Sequence, residues 1–218
     1  DGASVAYWVM RNGPSAVVQL PRVIGHLSDE WKLPEIASWH HRLAVGRTSV
    51  AYDMRGVGLS VGPFNPWPAP VRDLRAVLDA AGIQRAALLG DWIGAWTALA
   101  FAAAHPELVS HLVLWGTSTR GADLWTDVAT AVAEVALLDP DQVAHHMLHA
   151  TLGWTHGDFA DRYFDTVVSA SDQPFQGTAR LGNTELLKAA NFDEVAASIE
   201  VPTLVLHARE NQMLAEGT

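Results

Sequence analysis

Arg85-Ala86-Ala87-Leu88-Leu89-Gly90-Asp91-Trp92-Ile93-Gly94 is the stretch on which the fold turns. Arg85 to Leu89 reads as a short buried strand, and the chain runs on through Gly90 into an Ala-rich helix over residues 93–104. The same alternation extends in both directions. Residues 3–10 read as a strand, and Arg11-Asn12-Gly13-Pro14 reads as a turn. Ala16 to Leu20 is a buried strand ended by Pro21. Ile36, Trp39 and Leu43 mark one face of a helix over Pro34–Leu43, and Thr48–Tyr52 is another strand. Val71, Leu74, Val77, Leu78 and Ala81 form a helical stripe closed by Gly82, where a left-handed cap belongs. Leu112–Trp115 and Leu204–Leu206 complete the strands. Short apolar strands alternating with helices imply an α/β protein with a mostly parallel sheet covered on both faces.

Residues 120–192 break this rhythm with helical segments and no strand signal. Asp139-Pro140 pairs an N-cap with a first-turn proline, and a further helix is expected from about Phe159 to Val168. The expected organisation is a core over 1–119, a helical cap inserted over 120–192, and the rest of the core over 193–218. Asp1 is not an initiator methionine, and Thr218 follows Gly217 without a closing element, so both ends are expected to be cuts in a longer parent.

The composition removes several function classes. There are 24 acidic side chains against 14 basic ones, a net charge of −10, so nucleic acid is not an expected partner. No apolar run approaches the roughly 20 residues of a membrane span, and no signal peptide is visible, so no membrane partner is expected. With no cysteine there is no disulfide, no catalytic thiolate and no thiolate metal site, and the cytoplasm is the default compartment. The oligomeric state leaves no trace in the sequence.

Four segments in order resemble the α/β-hydrolase superfamily, of the small-molecule hydrolase and esterase type with a helical cap. They are Leu20-Pro21 after a strand, Asp53-Met54-Arg55-Gly56-Val57-Gly58-Leu59-Ser60, Gly90-Asp91-Trp92-Ile93-Gly94, and Val201-Pro202-Thr203-Leu204-Val205-Leu206-His207. The second is similar to the family's Asp-x-Arg-Gly-x-Gly-x-Ser turn. The third stands where the family carries its nucleophile elbow, Gly-x-Ser-x-Gly, with His105-Pro106-Glu107 following the helix. At such an elbow a strand turns sharply into a helix and holds one residue in a strained conformation. The flanking glycines are needed because side chains there would collide with neighbouring elements.

What the resemblance implies for the site is a degenerate set of groups. In the family the tip lies fourteen residues before the proline of the His-Pro-Glu segment, which here selects Trp92. Asp91 is the alternative, one residue out of register; an Asp followed by Trp resembles haloalkane dehalogenases, but Ile93 stands where those have a glycine. An indole has no lone pair for acyl attack and no proton to give up at accessible pH. Arg22 replaces the glycine of the oxyanion loop, leaving the backbone N–H groups of Val23 and Ile93 as candidate donors. The orienting acid falls on Asn211, or on Glu210 with a shift of one. The last histidine, His207, precedes that acid, so the chain offers none in the order the triad requires.

The remaining candidates have structural readings beside the functional ones. His26, near the oxyanion loop, is a pocket candidate. His145 and His149 have the i, i+4 spacing of metal ligands, with His146 between them. No Glu follows in a His-Glu-x-x-His pattern and no third ligand is evident, so a solvated or partner-facing helix is expected and no metal. His40-His41 is expected at the surface. Asp53 and Arg55 are expected to hold their loop together through hydrogen bonds and a charge pair. Pro63, Pro66, Pro68 and Pro70 make a stiff connector. Nine tryptophans suit a greasy or aromatic ligand; Trp31, Trp67 and Trp154 are candidates for the rim of a core–cap cleft, and Trp96 follows Trp92 by one helical turn.

The leading expectation is therefore a pseudo-hydrolase that binds a small apolar molecule or a partner, without cofactor. The alternatives are a non-covalent acid–base enzyme using Asp91, His26 and Arg22, and a dehalogenase-like hydrolase in which Asp91 attacks.

Overall fold

In a computed structural model, the structure describes residues 2–22, 26–63, 68–127, 130–131, 145–146, 148–149, 157–169 and 187–208. Six strands form one sheet: β1 (Tyr7–Arg11), β2 (Ala16–Gln19), β3 (Thr48–Tyr52), β4 (Ala86–Asp91), β5 (Val109–Trp115) and β6 (Thr203–Leu206). Their spatial order is β1-β3-β2-β4-β5-β6. Only β1 runs antiparallel, pairing Val9 with Val50 of β3; the other pairings are parallel.

The helices are α1 (Leu27–Glu30), α2 (Pro34–Leu43), α3 (Ala69–Ala81), α4 (Trp92–Ala104), α5 (Gly157–Tyr163) and α6 (Asp193–Ala197). Most of α4 is buried, and Ala95, Ala98 and Ala102 on it have no bulk to hold the helix off the sheet. Leu74, Val77 and Leu78 of α3 join Val18, Val50, Leu88 and Leu112 of the strands in one core. Gly82 ends α3 at φ 67, the left-handed cap its position implied.

The strand order fixes where a ligand crevice must lie. From β2 the chain crosses to β3 on one side, and from β4 it crosses to β5 on the other. Right-handed crossovers then put α2 and α4 on opposite faces, so a crevice opens between the carboxyl ends of β2 and β4. The residues there are Leu20–Arg22 and Asp91–Trp92, and the Leu20 N–H continues the ladder to the Leu89 carbonyl at 2.8 Å.

Several boundaries differ from the sequence reading. β1 starts at Tyr7, and Ser4 makes only an isolated bridge to Val61. β4 continues through Asp91, two residues past Leu89, because Gly90 and Asp91 still pair with Leu114 and Trp115. Pro70 is not connector but lies in the first turn of α3, where a missing N–H costs nothing. The helix expected from about Phe159 spans Gly157–Tyr163 and continues as a π-helical turn over Phe164–Ser169. Asp139-Pro140 lies outside the described residues. Arg120 pairs with Asn191 in an antiparallel bridge, so the two ends of the 120–191 stretch lie side by side. Leu148, Ala160, Tyr163 and Val167 from that stretch pack on Leu33 and Ile36.

On the other side, an open groove of about 650 Å³ runs along the sheet, lined by Val17, Trp39, Leu89, Val113, Trp115 and Leu206. Leu204, Val205 and Leu206 of the edge strand β6 are exposed. Among the described residues no helix is long and apolar enough to cross a membrane.

Candidate functional site

The bend after β4 falls at Trp92. Its φ of 46° is the only positive value at a non-glycine residue among those described. Asp91 just before it is extended, at φ −110° and ψ 148°. A bulky side chain in this region is strained, and such strain persists only where the surroundings impose it. The surroundings are visible. A Cβ on Gly90 would sit 2.7 Å from the Ala95 backbone, and one on Gly94 would sit 3.1 Å from the Pro21 carbonyl oxygen. The Trp92 carbonyl accepts a 2.8 Å bond from Thr117 Oγ1, beyond the end of β5. The indole packs against the cluster of Ile93, Trp96 and Leu124, and its buried Nε1–H meets no acceptor among the described residues. Trp96, one turn on, is filling: it is fully buried, stacks on Phe192 and donates to the Ser118 carbonyl at 2.7 Å.

Beside the tip lies a polar network. Arg22 Nε stands 3.3 Å from Asp91 Oδ2, and its Nη1 stands 3.4 Å from Glu30 Oε1. Burial disfavours the Arg22 charge, but Glu30 and Asp91 outweigh it and hold the guanidinium above its ordinary value. Burial pushes the Asp91 carboxyl up, against the pull of Arg22 and with the help of Glu30. Tyr163 Oη donates to Glu30, which is 4% exposed, so α5 is tied to α1. His26 faces the same region, with Nε2 2.8 Å from Asp29 Oδ2 and Nδ1 2.9 Å from Ser28 Oγ. Arg22, His26, Glu30 and Asp53 line a cavity of about 20 Å³. That is room for one water molecule, not for a substrate.

The Asp53–Ser60 turn closes the site from the β3 side. Asp53 Oδ1 accepts the Leu27 N–H at 2.9 Å and Ser60 Oγ donates to the Asp53 carbonyl at 2.9 Å. Arg55 reaches α3: its Nε donates 2.6 Å to Asp73 Oδ2, and its Nη2 lies 2.5 Å from Asp73 Oδ1. Gly58 has φ 55°, and a Cβ there would fall 2.3 Å from Asp53 Oδ2.

Of the residues singled out in the sequence, Arg22, His26, Asp91, Trp92 and Ile93 come together around the crevice. Val23, Glu210, Asn211, Trp67 and Trp154 lie outside the described residues. Trp31 stacks at 5.2 Å on His40 and lies 5.0 Å from Trp8. His40, expected at the surface, is fully buried because it follows Ile36 by one turn on the inner face of α2. Burial, with Arg22 and His41 adding to it, pushes its pKa down to about 4. His145 and His149 gain the third group that the sequence did not offer: both Nε2 atoms converge on Asp161 Oδ1, at 2.7 and 3.0 Å. Glu30, Asp73, Thr117, Asp161 and Tyr163 were not read as site residues. Glu30 and Tyr163 are 133 positions apart, and no local spacing joins them.

A parallel sheet with this switch point, a strained strand-to-helix tip and the glycines around it define an α/β-hydrolase fold. The chain belongs to the α/β-hydrolase fold family, whose model matches residues 34–218. It is similar to the putative carbamate hydrolase RutD of Klebsiella pneumoniae, with 29% identity over 185 residues covering 76% of this chain and 64% of that one. The chain thus spans just under two thirds of that relative's length. The 2-hydroxymuconate semialdehyde hydrolase of a Pseudomonas species is 27% identical over 83% of this chain and 68% of its own length. Among solved structures, the α/β hydrolase MGS-M2 from a deep-sea metagenome superimposes with a TM-score of 0.78 at 18% identity, over 99% of this chain and 80% of that one. The meta-cleavage product hydrolase CumD of Pseudomonas fluorescens IP01 gives 0.74 at 19% identity, over 99% and 79%. At these identities the structural likeness speaks for the fold.

Proposed function

We propose that this chain is a pseudo-hydrolase: an α/β-hydrolase scaffold that binds a small apolar or aromatic molecule, or a partner, under a helical cap, and does not run covalent hydrolysis. The observation that carries the reading is Trp92 at the tip of the bend, at φ 46°. Covalent hydrolysis needs an activated oxygen or sulfur there, and an indole ring supplies neither. Two features support binding in its place. The indole offers flat apolar surface, and its Nε1–H is a buried donor without an acceptor among the described residues, which a carbonyl or ether oxygen of a ligand would satisfy. Arg22, where the family has glycine, spends its charge on Asp91 and Glu30.

One observation favours a second reading. Asp91 stays one-third exposed beside Arg22, and burial raises its pKa, the setting of a general acid or base. In that reading the protein is a non-covalent acid–base enzyme. The extended backbone of Asp91 and its contact with Arg22 argue against the dehalogenase-like alternative, in which this carboxylate would attack from the tip.

Aryl-ester and haloalkane turnover by the protein, repeated on Asp91→Asn, separates the readings. Binding without chemistry predicts rates at buffer background for both proteins. Turnover well above background that disappears in Asp91→Asn contradicts it.

A further inference from the structure

A second cluster of reactive side chains lies away from the elbow. His145 and His149 are both helical and four positions apart, and Asp161 comes from α5, 16 and 12 residues further along. The two Nε2 atoms meet one carboxylate oxygen, and all three ligand atoms lie within 4.8 Å of one another. The rings are edge-on to each other with centroids 4.7 Å apart, so both present a nitrogen to the same point.

We propose that His145, His149 and Asp161 form a site for a divalent transition-metal ion of the Zn²⁺ type, which ties the two histidines to α5. The size fits. Zinc is held about 2.0–2.2 Å from imidazole nitrogen and carboxylate oxygen, which in a tetrahedron spaces the ligand atoms by roughly 3.3 Å. The Nε2–Oδ1 separations of 2.7 and 3.0 Å need to open by about 0.6 and 0.3 Å, and the two Nε2 atoms lie within 4.8 Å of each other. The chemistry fits as well. Two imidazoles and one carboxylate suit zinc, nickel, copper or ferrous ions, whereas calcium and magnesium take oxygen ligands.

The platform is already ordered. Leu148, between the two histidines, packs with Ala160 and Tyr163, which flank Asp161, in one apolar cluster. His149 is nearly buried, with its side chain 10% exposed, while Asp161 at 55% leaves an entry path and room for a water as fourth ligand. Without metal, the two rings share the carboxylate through hydrogen bonds, first from His145 and then from His149, and these hold the Asp161 carboxyl below its ordinary range. On binding, each Nε2 turns its lone pair to the metal and its ring carries the proton on Nδ1.

The test uses the whole chain, stripped with a chelator, and does not depend on any activity at the elbow. Titration with Zn²⁺ followed by calorimetry is expected to show one saturable site, and Co²⁺ is expected to give the visible absorption of a low-coordinate nitrogen–oxygen site. A saturating excess of Zn²⁺, about a hundredfold over Kd, raises the melting temperature by roughly 5 °C. His145→Gln and Asp161→Asn, both at accessible positions, each weaken binding at least about tenfold, while His146→Gln leaves it unchanged. Absence of a saturable site in the parent protein, or binding that is unaltered in either His145→Gln or Asp161→Asn, overturns the proposal.

Discussion

The turns after β3 and β4 both leave carboxyl ends of strands in this sheet, and their side chains are used differently. The turn after β3 keeps its polar side chains at work: Asp53 holds the Leu27 N–H, Ser60 donates to the Asp53 carbonyl, and Arg55 grips Asp73. The turn after β4 keeps its backbone, with Gly90 and Gly94 in tight quarters and the tip at positive φ, but its tip side chain is an indole whose N–H has no acceptor among the described residues. The first turn serves stability, so its chemistry and its geometry cannot be separated. At the second, geometry serves the fold, and in the proposed reading the tip side chain no longer serves hydrolysis. Scaffold and reaction answer to different residues within one site.

If that contrast is sound, the largest loss follows from damage to the first turn. Arg55→Ala strands the Asp73 carboxylate, whose side chain is 11% exposed, and is expected to cost about 3–5 kcal/mol in urea unfolding. A loss under 1 kcal/mol would mean that the turn is not held as described.

Acid sharpens the contrast between paired and unpaired polar groups. His40 sits fully buried with neither ring nitrogen hydrogen-bonded among the described residues, and its pKa lies at about 4 in place of 6.5. The unfolded chain therefore binds a proton in this window that the folded chain refuses, and stability falls as pH drops from 6.5 towards 4. The expected loss is on the order of 2–3 kcal/mol, and His40→Leu should flatten that part of the pH–stability profile.

The elbow glycines come next. Gly90→Ala drives a methyl to 2.7 Å from the α4 backbone, which has no flexible end to yield, and is expected to destabilise by about 2 kcal/mol. Gly94→Ala meets one carbonyl oxygen at 3.1 Å and is expected to cost less than about 1 kcal/mol. Reversal of that order in thermal melts would show that the tip is not braced through Gly90.

The alternation of apolar strands and helices, and the fold family itself, were legible in the sequence because they rest on local periodicity and on glycines at turns. The position of the tip was legible through the spacing from Trp92 to Pro106. Side-chain partners were not. Arg55 was expected to serve its own loop, yet its partner Asp73 sits on α3, and only the packing of α3 on the sheet reveals it. His40 looked like a surface residue until the inner face of α2 was set by Ile36. Asp161 reaches the two histidines only because α5 packs on Leu33 and Ile36 through Ala160 and Tyr163, a contact that no short-range pattern encodes.

In the proposed reading residue 92, an indole, takes up no acyl or phosphoryl group. Intact-mass measurement of the protein after exposure to a fluorophosphonate or an activated aryl ester tests this directly. The expected result is an unmodified mass and no burst of released phenol. A stoichiometric adduct mapped to the peptide containing Asp91 and Trp92 would contradict it.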